Sequence, residues 1–210
     1  RYTPLEIESS PVRCPSAQAS RAMEEEIAAA RAAGDTLGGE IAVVMHGVAP
    51  ALGSYRGGGM MARLSNAAFS VNDVVSVSFG SACDVTRRRG SAAYDSAVLG
   101  AHGFAHTTNI SGGIEGGLTT GASVVMRVGV APSASLRAPQ KSIDLETLSD
   151  AESSSAAYSP CLVGGVAVAI EAEIAFALAS AYQERFGGVA MSDIHSSYDA
   201  YMRRLRLAAR

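Results

Sequence analysis

Hydrophobic positions along this chain repeat with two periods, and the period changes several times from one end to the other. Residues 16–33 have the spacing of a helix, with Ser16 placed to cap its N-terminus and Gly34 placed to end it. Residues 60–69 predict a second helix. In the longest helical pattern an apolar or aromatic residue recurs at every fourth position, which predicts a stripe facing the core. The stripe consists of Val166, Ile170, Ile174, Leu178 and Tyr182.

Three shorter apolar runs predict strands. They are "GGEIAVVMHGV" after the first helix, residues 71–80, and "GASVVMRVGVAP" in the middle of the chain. All three are rich in β-branched residues, which favour extended structure. In the last run Arg127 alternates with Met126 and Val128, so we expect the arginine on the opposite face of the strand.

The remaining segments complete the predicted architecture. Residues 137–159 are polar and rich in serine, and we expect an irregular loop. Gly187 and Gly188 end the long helix, and residues 192–210 predict a final helix capped by Ser192. Since strands and helices are interspersed, we predict an α+β fold in which an antiparallel sheet packs on long helices, as one domain over residues 1–210.

Composition narrows the class of protein. The chain has 210 residues, of which 48% are hydrophobic and 18% charged, which is typical of a globular protein and not of a disordered one. A net charge of -3 gives no field that attracts nucleic acid. Cys14, Cys83 and Cys161 form no CxxC pair, so we expect neither a disulfide framework nor a zinc site, and we expect a reducing compartment.

Residues 162–182 are apolar enough to resemble a membrane segment. Glu171 and Glu173 lie at the centre of that segment, where charge is costly in lipid. We therefore expect a buried helix of a soluble protein and no membrane insertion. No signal-peptide pattern is visible, and because the chain begins with Arg1 we expect a processed product or a part of a longer translation product.

The stretch "TNISGGIEGGLTTG", residues 108–121 and called here the glycine segment, is dense in glycine. It is neither a Walker A loop, since no GK[ST] follows, nor a GxGxxG fingerprint. It contains two pairs, Gly112-Gly113 and Gly116-Gly117. Paired glycines allow backbone N–H groups to approach an anion or a flat ring closely. They also permit a tight crossover between sheet layers, and spacing alone leaves both interpretations open.

Other candidate sites are weaker. His102 and His106 have the spacing of a helical metal pair, but the flanking glycines favour a loop, and we predict no metal site. The run "TRRRGS" is a phosphate candidate through Arg87, Arg88 and Arg89, or else a solvated face. His46 and His195 are isolated and are expected to be structural.

Taken in order, these segments resemble the C-terminal half of chorismate synthase. "SPVRCPS" is similar to the family's Arg-Cys-Pro entry to a helix, and "GDTLGG" to its "GDS-x-GG" strand. "RRRGSAAYD" is similar to its "RGS…D" segment, and the glycine segment to its asparagine-led "GG-x-x-GG" motif. "QKSIDL" and "YSPCLVGGVAVAIEAEIAFALA" follow in family order.

The resemblance implies a β-α-β sandwich with an internal pseudo-repeat, assembled as a homotetramer in the cytosol or plastid stroma. It implies conversion of 5-enolpyruvylshikimate 3-phosphate to chorismate with loss of phosphate, using reduced FMN although the net reaction is redox-neutral. The flavin would lie on the glycine segment, with the substrate on top of it. The implied FMN contacts are Asn109, Gly112, Gly113, Gly116, Gly117 and Thr119.

The sequence departs from the family pattern at charged positions. The lysine of the family's "KPTSTI" is Ala131 here, and the arginine and aspartate of "GRHDPC" are Ala157 and Ser159. A phosphorylated substrate and an anionic flavin need fixed cations. The family's N-terminal half, which supplies histidines and substrate-binding arginines, is outside this chain.

Three hypotheses follow. The chain is a chorismate-synthase-like enzyme that works with a complementary N-terminal half, or it is a catalytically inactive homologue serving as a structural subunit of a larger assembly or homo-oligomer. A third possibility is a module that binds flavin or phosphate without turnover. Its candidate cations are Arg87, Arg88, Arg89 and Arg127.

Overall fold

The computed structural model describes residues 2–100 and 103–208. Their contacts divide the chain into two compact units. The first unit comprises Arg1–Ile41, Asn72–Val75 and Gly129–Ala169, and the second comprises Ala42–Val71, Ser76–Val128 and Ile170–Arg210. A single domain over residues 1–210 stays a prediction.

The elements are α-helices and β-strands interspersed along the chain, so the predicted α+β class is confirmed. The helices are α1 (Pro4–Glu8), α2 (Ala17–Ala33), α3 (Met60–Phe69), α4 (Ala82–Val85), α5 (Val163–Phe186) and α6 (Met191–Ala208), with a 3₁₀ turn at Gly90–Ala92. The strands are β1 (Gly39–Met45), β2 (Val74–Phe79), β3 (Ala97–Gly100), β4 (Gly103–His106), β5 (Ile114–Glu115), β6 (Leu118–Thr119), β7 (Val124–Val130), β8 (Gln140–Asp144) and β9 (Ser149–Ser153).

Within residues 2–100 and 103–208, these strands form one three-stranded sheet and three two-stranded hairpins. The sheet has the order β1-β7-β2, so its central strand comes latest in the chain. The hairpins β3-β4, β5-β6 and β8-β9 are antiparallel. In β7 buried and less buried residues alternate, with Met126 and Val128 inside and Arg127 exposed, as the sequence predicts.

In the first unit, α2 begins and ends where its capping residues predict. The Ser16 hydroxyl accepts a hydrogen bond from the Ala19 N–H at 3.4 Å. Gly34 ends the helix in the left-handed conformation, with φ of 72°, and the Asp35 N–H donates back to Ala30 O at 2.9 Å. A glycine is needed there because a side chain at that φ is strained and its Cβ would lie 3.0 Å from Ala138 N.

The prediction of an irregular loop at residues 137–159 is wrong for its middle part, which forms the β8-β9 hairpin. Nearly every residue of the hairpin is exposed, so neither face carries the apolar alternation that marks a half-buried strand. Hydrogen bonds within the turn instead fix which residues of β8 and β9 pair with each other. The Asp144 carboxylate accepts hydrogen bonds from the Glu146 N–H at 2.8 Å and the Thr147 N–H at 3.0 Å.

The second unit contains the apolar core around α3, β7 and the glycine segment. Its fully buried side chains include Leu52, Met60, Leu64, Ile114 and Met126. The stripe predicted on the long helix faces inward at Ile170 and Ile174, which are 0% and 2% exposed. The opposite side of α5 is open, with Phe176 74% exposed.

Helix α5 is long and apolar enough to cross a membrane, and only 11% of its most hydrophobic window is buried within the described part of the protein. The expectation of a buried helix therefore holds for one side of α5 only. The absence of membrane insertion stays a prediction.

Helix α6 packs on the C-terminal part of α5 through aromatic rings. Phe186 contacts Tyr198 edge to face, with ring centroids 5.4 Å apart, and contacts Tyr201 at 5.6 Å. The helix starts at Met191, one residue before its predicted cap, because the Asp193 carboxylate accepts the Ala190 N–H at 3.3 Å.

Candidate functional site

The first glycine pair of the glycine segment lies against the protein's own backbone. Gly112 and Gly113 are buried, with φ of 68° and 79°. A Cβ on Gly112 would lie 2.3 Å from Gly80 N, and one on Gly113 would lie 2.6 Å from Ser123 O. Since no Cβ fits at such distances, this pair is required by a close crossing of chain segments.

The second pair forms the turn of the β5-β6 hairpin. Gly116 and Gly117 are the two residues between the strands, and their φ angles are 55° and 83°. A two-residue hairpin turn of type I′ needs positive φ at both positions. A Cβ on Gly117 would lie 2.4 Å from Ser54 O, whereas no atom lies within 4 Å of the corresponding position on Gly116. The tip of the hairpin therefore presents bare backbone to open space at Gly116.

The two polar side chains predicted to contact a cofactor have partners within the protein. The Asn109 amide donates to Ser123 O at 2.8 Å. The Thr119 hydroxyl, which is buried, donates to Ala49 O at 2.6 Å and accepts the Leu52 N–H at 2.9 Å. Both side chains thus fix the shape of the hairpin, and an incoming ligand would have to compete with these hydrogen bonds.

Asp95, the aspartate that ends the "RRRGSAAYD" segment of the family resemblance, belongs to this site, although it was not predicted as a site residue. Its carboxylate accepts hydrogen bonds from the Thr108 hydroxyl, the Ile110 N–H at 2.7 Å and the Ser111 N–H at 2.8 Å. No local pattern predicts these contacts, because their donors lie 13 to 16 positions further along the chain.

The hydrogen bonds also set the charge state of Asp95. Partial burial raises the pKa of the carboxyl, but hydrogen bonds from Thr108, Ser111 and Ile110 outweigh burial and hold the pKa well below its usual range. The Ser111 hydroxyl adds to this lowering although it is buried and completes no hydrogen bond of good geometry in the described part of the chain. The carboxylate is therefore ionised at neutral pH.

The three consecutive arginines lie on a loop of residues 81–95, called here the arginine loop. Arg87, Arg88 and Arg89 are all exposed and follow α4. Arg88 reaches Asp84 at 3.9 Å, which is a weak surface ion pair. Within residues 2–100 and 103–208, no hydrogen bond or ion pair joins the three side chains to the glycine segment. Their guanidinium groups stay candidates for phosphate.

The positions where charged residues were expected belong to the first unit. The Ala131 N–H donates to Asp73 O at 2.8 Å, and the Ser159 hydroxyl donates to Cys161 O at 3.3 Å. Ala157 is exposed. Tyr158 lies between Ala157 and Ser159 in the sequence, and its hydroxyl donates to Asp35 O at 2.6 Å, just after the end of α2. The contacts at these positions are therefore made by backbone and hydroxyl groups, and none of the three positions carries a charged side chain.

His102, one of the two histidines with the spacing of a metal pair, lies outside the described residues, and the prediction of no metal site stays a prediction. His106 ends β4. In the described ranges there is no group of three or more His, Cys, Asp or Glu residues arranged to hold a metal ion.

Two features fit a flat ligand such as a flavin at the glycine segment. One is the open space beside Gly116, which any side chain would fill. The other is the buried Ser111 hydroxyl, which interacts with the Asp95 carboxylate but completes no hydrogen bond of good geometry in the described residues. Both lie on the segment that the family resemblance assigns to FMN.

Comparison with known proteins gives a consistent result. The family model described as chorismate synthase matches residues 3–183. The chorismate synthase of Rubrobacter xylanophilus is 40% identical over 203 residues, covering 96% of this chain and 52% of its own length. That of Mycolicibacterium vanbaalenii is 35% identical, covering 94% of this chain and 49% of its own.

A solved structure described as the crystal structure of chorismate synthase matches with a TM-score of 0.80 and 25% identity, over 97% of this chain and 54% of that one. The chain thus spans about half the length of the curated relatives it matches. The predicted fold, about one half of a chorismate synthase, is confirmed. Because the family model covers most of its residues, the chain belongs to the chorismate synthase family.

Proposed function

We propose that this chain supplies one half of a chorismate synthase active unit. In that unit 5-enolpyruvylshikimate 3-phosphate is converted to chorismate with loss of phosphate, and reduced FMN lies on the glycine segment. The part of the relatives' length that this chain does not span supplies the remaining catalytic groups, including the acid–base histidines. The unit assembles as a homo-oligomer or with a separate complementary chain.

The observation that carries this proposal is the shape of the glycine segment. The family match includes it, and its backbone packs closely against Gly80, Ser123 and Ser54. Among the two glycine pairs, only Gly116 is left open, at the tip of the hairpin. A rigid, bare backbone is suited to a flat ring because it needs no reordering when the ring binds.

Reduced FMN, when bound, supplies electrons that the balanced reaction does not consume. This chain's own contribution is to bind and orient. The N–H and C=O groups around Gly116 would contact the ring system. Arg87, Arg88, Arg89 and Arg127 are the candidate cations for phosphate groups, since a guanidinium binds phosphate oxygens in a fixed fork.

The test combines this chain with the part of the Rubrobacter xylanophilus enzyme that it does not match. The assembled protein is titrated with FMN, then given reduced FMN and substrate without oxygen, and chorismate is measured. We expect flavin binding and chorismate formation by the assembled protein, and no turnover by either part alone. Absence of both flavin binding and chorismate from a stable assembly would contradict the proposal.

A matched pair of variants locates the flavin. Gly116 and Gly187 both have positive φ, 55° and 64°, and at neither glycine would an added Cβ have an atom within 4 Å. Alanine therefore strains the backbone similarly at both. We expect Gly116→Ala to weaken FMN binding and Gly187→Ala, at the end of α5, to leave it unchanged.

A second function is favoured by the charged positions. With Ala131, Ala157 and Ser159 in place of a lysine, an arginine and an aspartate, a catalytically inactive subunit of a larger assembly also fits. Such a subunit would purify with partner chains in a fixed ratio and would not bind FMN. Turnover by the assembled protein described above would exclude it.

A further inference from the structure

Both ends of the arginine loop are bonded to one residue of the glycine segment, Ile110. At the start of the loop the Ser81 N–H donates to Ile110 O at 2.9 Å. At its end the Asp95 carboxylate accepts the Ile110 N–H at 2.7 Å. Hydrogen bonds at both of its ends therefore attach the loop that carries the three candidate phosphate-binding arginines to the backbone just before the glycine hairpin.

The Asp95 contacts constrain this backbone more than a single hydrogen bond does. Its two oxygens accept from the Ile110 and Ser111 N–H groups, and one of them also accepts the Thr108 hydroxyl. Hydrogen bonds to an ionised acceptor are about twice as strong as neutral ones. Two consecutive peptide groups held by one planar carboxylate leave little freedom of rotation.

The next residue of the glycine segment has no room to compensate for a shift. The Gly112 N–H donates to Asn109 O at 3.2 Å, and a Cβ on Gly112 would clash with Gly80. A movement of Ile110 or Ser111 would therefore be passed along the backbone to the pair Gly112-Gly113 and to the hairpin that follows.

We propose that Asp95 is a positioning residue for the cofactor and phosphate site. It holds the glycine segment in the shape that accepts the flavin, and it fixes the arginine loop to the same backbone, so that the two act as one site. Asp95 itself touches neither ligand. This inference rests on the proposed function, which assigns the flavin to the glycine segment.

The test compares Asp95→Asn with Asp84→Asn. Both remove one negative charge from the arginine loop, but Asp84 is exposed and its carboxylate makes the weak 3.9 Å contact with Arg88. Three measurements are made on the assembled protein: hydrogen exchange of the Ile110 and Ser111 amides, melting temperature and FMN affinity. We expect Asp95→Asn to speed exchange of these two amides and to weaken FMN binding, each by about tenfold or more, while Asp84→Asn changes neither.

A second pair guards against misfolding of the Asp95 variant. Thr108→Val removes the hydroxyl that Asp95 accepts, and Thr108→Ser keeps it. We expect Thr108→Val to weaken FMN binding in the same direction and Thr108→Ser to restore it. A merely structural role would lower the melting temperature and raise exchange throughout the chain, without the local change at residues 110 and 111.

The outcomes separate this inference from the proposed function. Flavin binding that is equally tight in wild type and Asp95→Asn, with unchanged exchange, overturns the positioning role and leaves the proposed function standing. A wild-type assembly that binds no FMN overturns the proposed function and with it the cofactor role of Asp95. If Asp95→Asn accelerates amide exchange over the whole chain, the inference that Asp95 anchors residues 110 and 111 locally is overturned.

Discussion

Gly80 and Gly112 lie so close together that a Cβ on Gly112 would be 2.3 Å from Gly80 N and 2.8 Å from Gly80 Cα. A side chain is excluded at Gly80 as well, because a Cβ there would lie 2.4 Å from Gly112 N. It joins the end of β2 to the start of the glycine hairpin. This part of the glycine pattern is therefore explained by packing of the chain against itself, and we expect ligand contact to be concentrated at Gly116.

We expect Gly112→Ala to destabilise the protein by about 2–5 kcal/mol, since it combines a strained left-handed backbone with an overpacked contact. Gly116→Ala is the control, because its backbone is left-handed but its surroundings are open. It should cost about 1–2 kcal/mol. Urea unfolding followed by circular dichroism measures both. Equal losses for the two variants would contradict the packing argument.

Tyr182 ties α5 to the turn after β1. Its hydroxyl accepts the Ala49 N–H at 2.8 Å and approaches Gly47 O at 3.4 Å. Tyr182→Phe leaves the Ala49 N–H without a partner in a partly buried place, and we expect a loss of about 1–2 kcal/mol in the free energy of unfolding. Tyr55→Phe is the control, because Tyr55 is 87% exposed. If Tyr182→Phe had the same free energy of unfolding as Tyr55→Phe, the hydrogen bond between Ala49 and Tyr182 would contribute nothing to stability.

Asp95 makes stability depend on pH in a defined direction. Its pKa in the folded protein is depressed below the value of about 3.9 for an unfolded chain, because the hydrogen bonds to its carboxylate outweigh burial. The stabilisation is therefore fully present above the unfolded pKa and is lost as the pH falls towards the folded one. We expect the stability gap between wild type and Asp95→Asn to be constant from about pH 5 to 7 and to narrow below about pH 4. Unfolding curves across this range measure it, and a gap that widened in acid would refute the assignment.

How much the sequence predicts depends on whether the determining contact is local. The ends of α2 were predictable because Ser16 and Gly34 act within one helical turn. The turn at Gly116-Gly117 is likewise local, with "IE" and "LT" on either side forming β5 and β6. The crossing of Gly112 with Gly80 and the anchoring by Asp95 depend on residues distant in the chain, and no spacing rule indicates them.

The same reasoning explains the β8-β9 hairpin. Its side chains are exposed on both faces, so its sequence has no apolar alternation. Its turn is marked only by Asp144 and by Leu148, whose φ of 52° is left-handed. Turn chemistry of this kind occurs in irregular loops too. The hairpin was therefore indistinguishable from a loop in the sequence.

Restoring charge at the altered positions separates an active half from an inactive subunit. The triple variant Ala131→Lys, Ala157→Arg and Ser159→Asp returns the family's residue types to the first unit. If these positions face the bound anions, a desolvated charge contact contributes about 2–5 kcal/mol, so we expect FMN affinity or turnover of the assembled protein to rise by about tenfold or more. Ser154→Arg, at an exposed position, controls for added positive charge alone. A triple variant that behaves like this control would indicate that the chain no longer uses these positions for ligands, and would favour the structural role.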